Sequence, residues 1–352
     1  MKGHWQNSKK TPRPLRVGFV PLCDCAPLVM AQELGLFDHH GLRVQLSREV
    51  GWATVRDKII YGELDAAHAL APMVFAASLG LGSAQVDCVT GLVLSLNGNA
   101  ITLAQPLWNA SIREGRPLGL LAHQRREPLV FGIPFLYSSH HFLLRTWLGS
   151  QGLVADRDVQ FVVVPPPQMP ANLKAGHLDG YCVGAPWNSV AALAGFGWCV
   201  ASSHDITPLH PEKVLMVRRE FAETRGAEHG RLIAALMEAC RFCDAEKNRE
   251  RIIETLGEPQ YVNAPVSALR EGCEFTLGHA TAAGGDSGNK PSADKGAWVL
   301  GQLRECGLLP ASTALDEGLV SAIFREDIFE NAIRPNQPHE HEPTPILSRS
   351  KD

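Results

Sequence analysis

The sequence predicts an α/β protein built as two lobes, and three observations predict it. Short apolar runs alternate with amphipathic stretches, the pattern of parallel βαβ units. That alternation stops near Pro106 and then restarts as a second unit. The length of 352 residues exceeds what one small core organises and fits two compact lobes.

The elements follow in order. Leu15 to Val20 is a short apolar strand, and Ala26 to Leu34 is a helix that Gly35 stops. Leu42 to Leu46 alternates apolar and polar residues, as a half-buried strand does. Ala53 to Tyr61 reads as a helix ending at Gly62. Asp65 to Leu70 and Val86 to Leu94 read as strands, with a helix from Pro72 to Leu79 between them. In the second unit Leu129 to Ile133, Val159 to Val164 and Asp179 to Val183 are strands. Ser139 to Leu148, Met169 to Ala175 and Pro186 to Ala194 are helices. From Lys213 onward the chain reads as mostly helical, with a strong amphipathic pattern between Gly230 and Leu256 and a further helix from Asp294 to Cys306.

Bulk properties exclude several function classes. A formal net charge of −4 argues against direct binding to nucleic acid, which needs a basic surface. No run approaches the ~18 apolar residues of a membrane span. Residues 1–14 are polar and basic, with Lys2, Lys9, Lys10 and Arg13, and lack the apolar segment of a secretory signal. The expectation is a cytoplasmic protein. Nine cysteines, odd in number and irregular in spacing, read as buried apolar residues of a reducing compartment. The proline-rich tail, 335–352, is expected to be flexible, as are residues 1–14.

Several segments together carry a family resemblance: Gly51-Trp52-Ala53-Thr54-Val55-Arg56-Asp57, Asn97-Gly98-Asn99, Gly184-Ala185-Pro186-Trp187-Asn188 and His210-Pro211-Glu212-Lys213-Val214. The chain resembles the nitrate- and bicarbonate-binding branch of the ABC-transporter solute-binding proteins, from about Leu15 to about Ile328. The resemblance implies a type II periplasmic-binding-protein fold, two lobes with parallel-type sheets flanked by helices and a ligand cleft between them. Lobe one would hold 15–104 and 212–330, lobe two 105–211. The crossovers would fall near Leu103 to Leu107 and near Ser202 to Pro211, with the C-terminal helices packed back on lobe one. Ligand would lie at the carboxyl ends of the strands.

Nitrate is a flat monoanion with weakly basic oxygens, so its site needs a cation and several N–H donors. The resemblance implies that Lys213 supplies the charge and that Trp52 lines the anion with a π-face and an N–H. Asn99 stands where transport members often carry Gln, and its amide can donate to an oxyanion. His140 opens the helix from Ser139, where free N–H groups favour anions, though His141 leaves the register open by one residue. The backbone N–H groups of Gly184 and Ala185 complete the expected ligand-binding set. Transport members usually have Glu where Ala185 stands. Loss of that carboxylate favours nitrate or nitrite over bicarbonate, which has an O–H to donate.

Export-signal-free members of this family are cytosolic nitrate/nitrite sensors of the NasS type, paired with an ANTAR-type RNA-binding antiterminator (NasT-like), and this chain resembles them most. The function implied is a sensor that controls such a partner and thereby nitrate assimilation genes, with no enzymatic activity, no cofactor and no metal. The alternative is the solute-binding component of an ABC transporter. A third class, the enzymes of the same fold that make the pyrimidine precursor of thiamine, needs a reactive His/Cys arrangement that finds no place here. Gly285-Asp286-Ser287-Gly288 lacks the surroundings of a protease nucleophile. Cys240-Arg241-Phe242-Cys243 lies inside a helix rather than at its start, where a thiol pKa would fall. His339-Glu340-His341-Glu342 sits in the tail.

Overall fold

The structure, a computed structural model, describes residues 13–278, 285–313 and 316–334. Among these residues ten strands form two five-stranded sheets. The strands are β1 (Leu15–Phe19), β2 (Val44–Arg48), β3 (Ala66–Leu70), β4 (Cys88–Leu96), β5 (Asn99–Ala104), β6 (Leu129–Ile133), β7 (Val159–Val163), β8 (Gly180–Gly184), β9 (Gly197–Ser202) and β10 (Pro211–Arg218). Sheet one has the order β2-β1-β3-β10-β4 and sheet two the order β7-β6-β8-β5-β9. The helices that matter below are α1 (Ala26–Glu33), α2 (Trp52–Ile60), α3 (Ala71–Ser78), α4 (Ser139–Ser150), α5 (Trp187–Leu193), α6 (Gly226–Asp244), α7 (Val266–Thr276) and α8 (Ala293–Glu305).

This is the two-lobed fold expected, with one correction: both sheets are mixed. β1 pairs in parallel with β2 and β3, and β6 with β7 and β8. β10 is antiparallel to β3 and β4, and β5 to β8 and β9. The reason is strand exchange. β5 enters sheet two straight from β4 of sheet one, and β10 returns to sheet one from β9, so each runs against its new neighbours. The first passage lies at Asn97 and Gly98, with φ 55° and 89°, ahead of the stretch expected near Leu103 to Leu107. The Asn-Gly-Asn turn thus makes the crossover itself. β5 and β9 were absent from the sequence reading, and β10 had been assigned to the helical part.

Local chemistry explains the element ends. α1 carries Pro27 in its first turn, where a missing N–H is harmless, and stops at Gly35 with φ 67°. Ser138 caps α4 by accepting from the His141 N–H. β8 alternates between two cores. Tyr181 and Val183 belong to the large core that runs under sheet one, and Cys182 joins the smaller one with Ile101, Phe131 and Leu148. α6 packs on α1, whereas α7 packs on α5.

Residues 1–12 and 335–352 lie outside the described residues, His339 to Glu342 among them. Arg13 is not loose: its guanidinium bonds both oxygens of Asp65 at 2.6 and 2.7 Å. Among the described residues no helix is long and apolar enough to cross a membrane.

Gly180 is where sheet two tolerates no side chain. A Cβ there would lie 2.5 Å from Phe131 Cε1 and 2.8 Å from the Thr102 carbonyl oxygen. The backbone contact cannot relax by a rotamer change. Gly180→Ala is expected to destabilise the chain by roughly 1–3 kcal/mol, seen as a lower urea midpoint with an unchanged slope.

Candidate functional site

The edges of the two sheets that meet each other gather a single buried polar cluster. Asp24 lies in the turn after β1, Trp52 opens α2 after β2, and His68 sits on β3. Ser139 and His140 form the first turn of α4 after β6, and Gly184 ends β8. Asn99 and Lys213 come from β5 and β10. Because these two strands are antiparallel to their neighbours, their beginnings coincide with the carboxyl ends of the parallel strands, where α/β proteins place ligands.

Glu212 and Lys213 are adjacent, and a regular strand would send them to opposite faces. A bulge prevents this. Pro211 stands opposite Leu96 and Lys213 opposite Ser95, so Glu212 is an extra residue in the ladder. Both side chains reach the same interior and both are 0% exposed. Lys213 Nζ lies 2.7 Å from Glu212 Oε1 and 2.8 Å from Asp24 Oδ2. The other oxygen of Asp24 is 3.1 Å from His68 Nε2. Glu212 Oε2 accepts from Asn99 Nδ2 at 2.6 Å, from the Ser139 hydroxyl, and from His210 Nε2 at 3.3 Å. His140 Nδ1 stands 3.5 Å from Glu212 Oε1. The Lys213 ammonium lies 5.4 Å from the Trp52 ring centroid, within cation–π range.

Charge states follow from burial set against these partners. Burial pushes the Glu212 carboxyl up, but Lys213 and His140 outweigh it and hold it well below the usual range. Asp24 is likewise lowered: burial opposes, and Lys213 and His68 prevail. Burial depresses the Lys213 ammonium, and the two carboxylates more than reverse this, leaving it raised. His140 has no such rescue. Burial dominates over Glu212 and lowers it to about 4, so it is neutral at pH 7.

Each residue expected at the site can now be placed. Trp52, Asn99, His140, Gly184 and Lys213 come together, with three qualifications. Lys213 is neither on the surface nor a free charge, since two carboxylates already flank it. Asn99 spends an N–H on Glu212, which leaves its Oδ1 without a partner. Ala185 offers no donor: its N–H goes to the Gly98 carbonyl and its carbonyl accepts from Cys23 N–H. A Cβ on Gly272 of α7 would sit 3.0 Å from the Ala185 Cβ, so the side chain at this position faces α7. The Ala185–Gly98 bond makes Gly184 and Asn99 a non-hydrogen-bonded pair, which turns the Gly184 N–H away from β5. Of the two histidines, His140 belongs to the cluster, while His141 Nδ1 is bonded to the Leu136 carbonyl. Trp52 Nε1 and both ring nitrogens of His140 are buried without a hydrogen-bond partner among the described residues, unusual for native interiors.

The sequence reading missed Asp24, His68, Ser139, His210 and Glu212. His210 and Glu212 had a usable signal, as part of the motif that carries Lys213. The discounted motifs are structural. Cys240 and Cys243 are buried on α6, with thiols pushed up by burial, and Asp286 to Asn289 form a short helical turn. Among the described residues no group of three His, Cys, Asp or Glu side chains is placed to hold a metal ion.

Comparison with known proteins adds the family. The model of the NMT1-like family matches residues 8–257. The nitrate import ATP-binding protein NrtC of Synechocystis sp. is 38% identical over 334 residues, covering 91% of this chain and 50% of that protein. The bicarbonate transport ATP-binding protein CmpC of Synechococcus elongatus is 36% identical over 327 residues, covering 91% of this chain and 49% of that one. The chain thus spans about half the length of these relatives. The crystal structure of the periplasmic nitrate-binding protein NrtA from Synechocystis superposes with a TM-score of 0.83 at 26% identity, over 91% of this chain and 88% of that one.

Proposed function

The chain belongs to the NMT1-like family, and from that premise we propose that it binds nitrate or nitrite between its lobes as the solute-binding component of an ABC-type import system. The observation that carries this reading is the likeness to a nitrate-binding protein over 91% of the chain. The cluster supports it chemically. Trp52 and His140 carry ring nitrogens with no hydrogen-bond partner among the described residues, Gly184 adds a backbone N–H, and Lys213 is the nearby cation. Ligand and closure are coupled because donors from both lobes converge only when the lobes meet.

Isothermal titration with nitrate, nitrite and bicarbonate tests the reading. The expected result is a micromolar Kd for nitrate or nitrite and weaker binding of bicarbonate. Trp52→Phe keeps an aromatic face but loses the five-membered ring that carries the N–H, so nitrate should bind at least about tenfold more weakly, or roughly 1.4 kcal/mol. Bicarbonate binding more tightly than nitrate would reverse the ligand order. Absence of heat with all three anions would remove the reading.

A second reading rests on a different observation. The relatives at 38% and 36% identity are named as ATP-binding proteins, not as solute-capturing ones. In this reading the chain is a cytoplasmic nitrate/nitrite sensor that releases an ANTAR-type antiterminator when ligand binds, and linkage requires the partner to weaken nitrate binding by the same factor. Gel filtration with such a partner, with and without nitrate, decides. A complex that nitrate dissociates supports sensing, and elution unaffected by nitrate rejects it.

A further inference from the structure

The buried cluster holds two carboxylates and one ammonium, with the His210 ring between the Thr207 carbonyl and Glu212. Asp24 and Glu212 face the single ammonium of Lys213, and none of the three is more than 2% exposed. A monoanion entering beside them adds a further negative charge where solvent cannot screen it, and buried charge needs a counter-charge. His140 is placed to provide one. It is 0% exposed, both ring nitrogens lack hydrogen-bond partners among the described residues, and Nδ1 stands 3.5 Å from Glu212 Oε1. A neutral imidazole has one N–H, an imidazolium two. With Glu212 beside Nδ1 and an oxyanion beside Nε2, the ring lies between two acceptors, and only the imidazolium satisfies both.

We propose that the site takes up its oxyanion together with one proton from solvent, which His140 receives to become an imidazolium bridging Glu212 and the anion. This rests on the anion-binding reading above. The groups facing His140 are His210, Glu212 and Lys213 from β10 and the turn ahead of it, and Asp24 from the turn after β1, which His68 of β3 backs. On its own helix, Ser139 is bonded to Glu212 and His141 to the Leu136 carbonyl. Burial holds free His140 down to about 4, so at neutral pH it starts without the proton. The sign follows from linkage. The bound state carries more protons than the free state, so affinity falls as pH rises.

The test is titration of the full chain with sodium nitrate at pH 6, in phosphate and in a buffer of much larger ionisation enthalpy such as bis-Tris. The difference in observed heat gives the proton count. One proton taken up per nitrate is expected, with affinity falling about tenfold per pH unit above pH 5 until the pKa of bound His140 is passed. His140→Gln should bind nitrate more weakly, with no proton uptake and a flat pH profile, while His141→Gln should keep the uptake and the slope. Nitrate binding with no proton uptake overturns the proposal and leaves the anion reading standing. Undiminished uptake in His140→Gln overturns it as well, by moving the proton elsewhere. Absence of nitrate binding in the unaltered chain overturns the anion reading and this proposal together.

Discussion

Lys213→Met is expected to lose roughly 3–5 kcal/mol of stability at pH 7 and all measurable nitrate binding. Methionine keeps most of the stem volume, so the loss reports the charge. Without the ammonium, Asp24 and Glu212 are buried with no counter-ion, and burial, the largest influence on both, then pushes their pKa values up. This reverses a pH dependence. In the natural chain both carboxylates are held below their ordinary values, so their stabilisation is full above about pH 4.5 and is lost as pH falls through the lowered values. Lys213, raised above its ordinary value, stabilises below about pH 10.5 and loses that contribution as pH rises through its folded value. In the variant the raised carboxylates make the chain more stable at pH 5 than at pH 8. Urea titrations at those two pH values check the sign, and equal stability of variant and natural chain at pH 7 would remove the argument.

Glu212→Gln should cost about 3 kcal/mol and loosen the contact between lobes. The carboxylate belongs to lobe one, yet it accepts from Asn99 and Ser139 of lobe two. A glutamine side chain retains one acceptor oxygen and turns an NH₂ group toward donors already in place. Few other polar bonds join the lobes here: Trp187 Nε1 donates to the Pro21 carbonyl at 2.8 Å, and Cys23 N–H to the Ala185 carbonyl at 2.8 Å. Small-angle scattering should show a larger radius of gyration in the variant. Superimposable scattering curves together with stability within ~0.5 kcal/mol of the natural chain would contradict this role.

The readable part of the fold was the part governed by local pattern. β1, β6 and α4 follow from apolar runs and a capping serine, which depend on neighbours in sequence. β5 and β10 were not legible because their direction and partners come from the exchange between sheets. Asn-Gly-Asn is a strong turn signal, and it hides that the strand begins at its last residue. At the site, Lys213 and Trp52 stood out by type and context. Asp24 sat between two cysteines in an apolar stretch, and His68 in a run of alanines, so nothing local marked either. Glu212 stood beside Lys213 at the start of a segment read as mostly helical, and the bulge that brings both side chains to one interior leaves no mark in the sequence.

The bulge at Glu212 has a bearing on how such a site arises and moves between proteins. A pair of opposite charges adjacent in sequence on a β-strand meets in one interior only where an extra residue resets the phase of the strand. Removing that residue would take away the carboxylate itself and disturb a ladder with β4 whose register already shifts three times between Pro211 and Met216. An inserted or deleted codon in β10 is therefore a larger functional change than most substitutions there. Anyone grafting this anion site onto another scaffold must carry over the irregularity of the backbone along with the side chains.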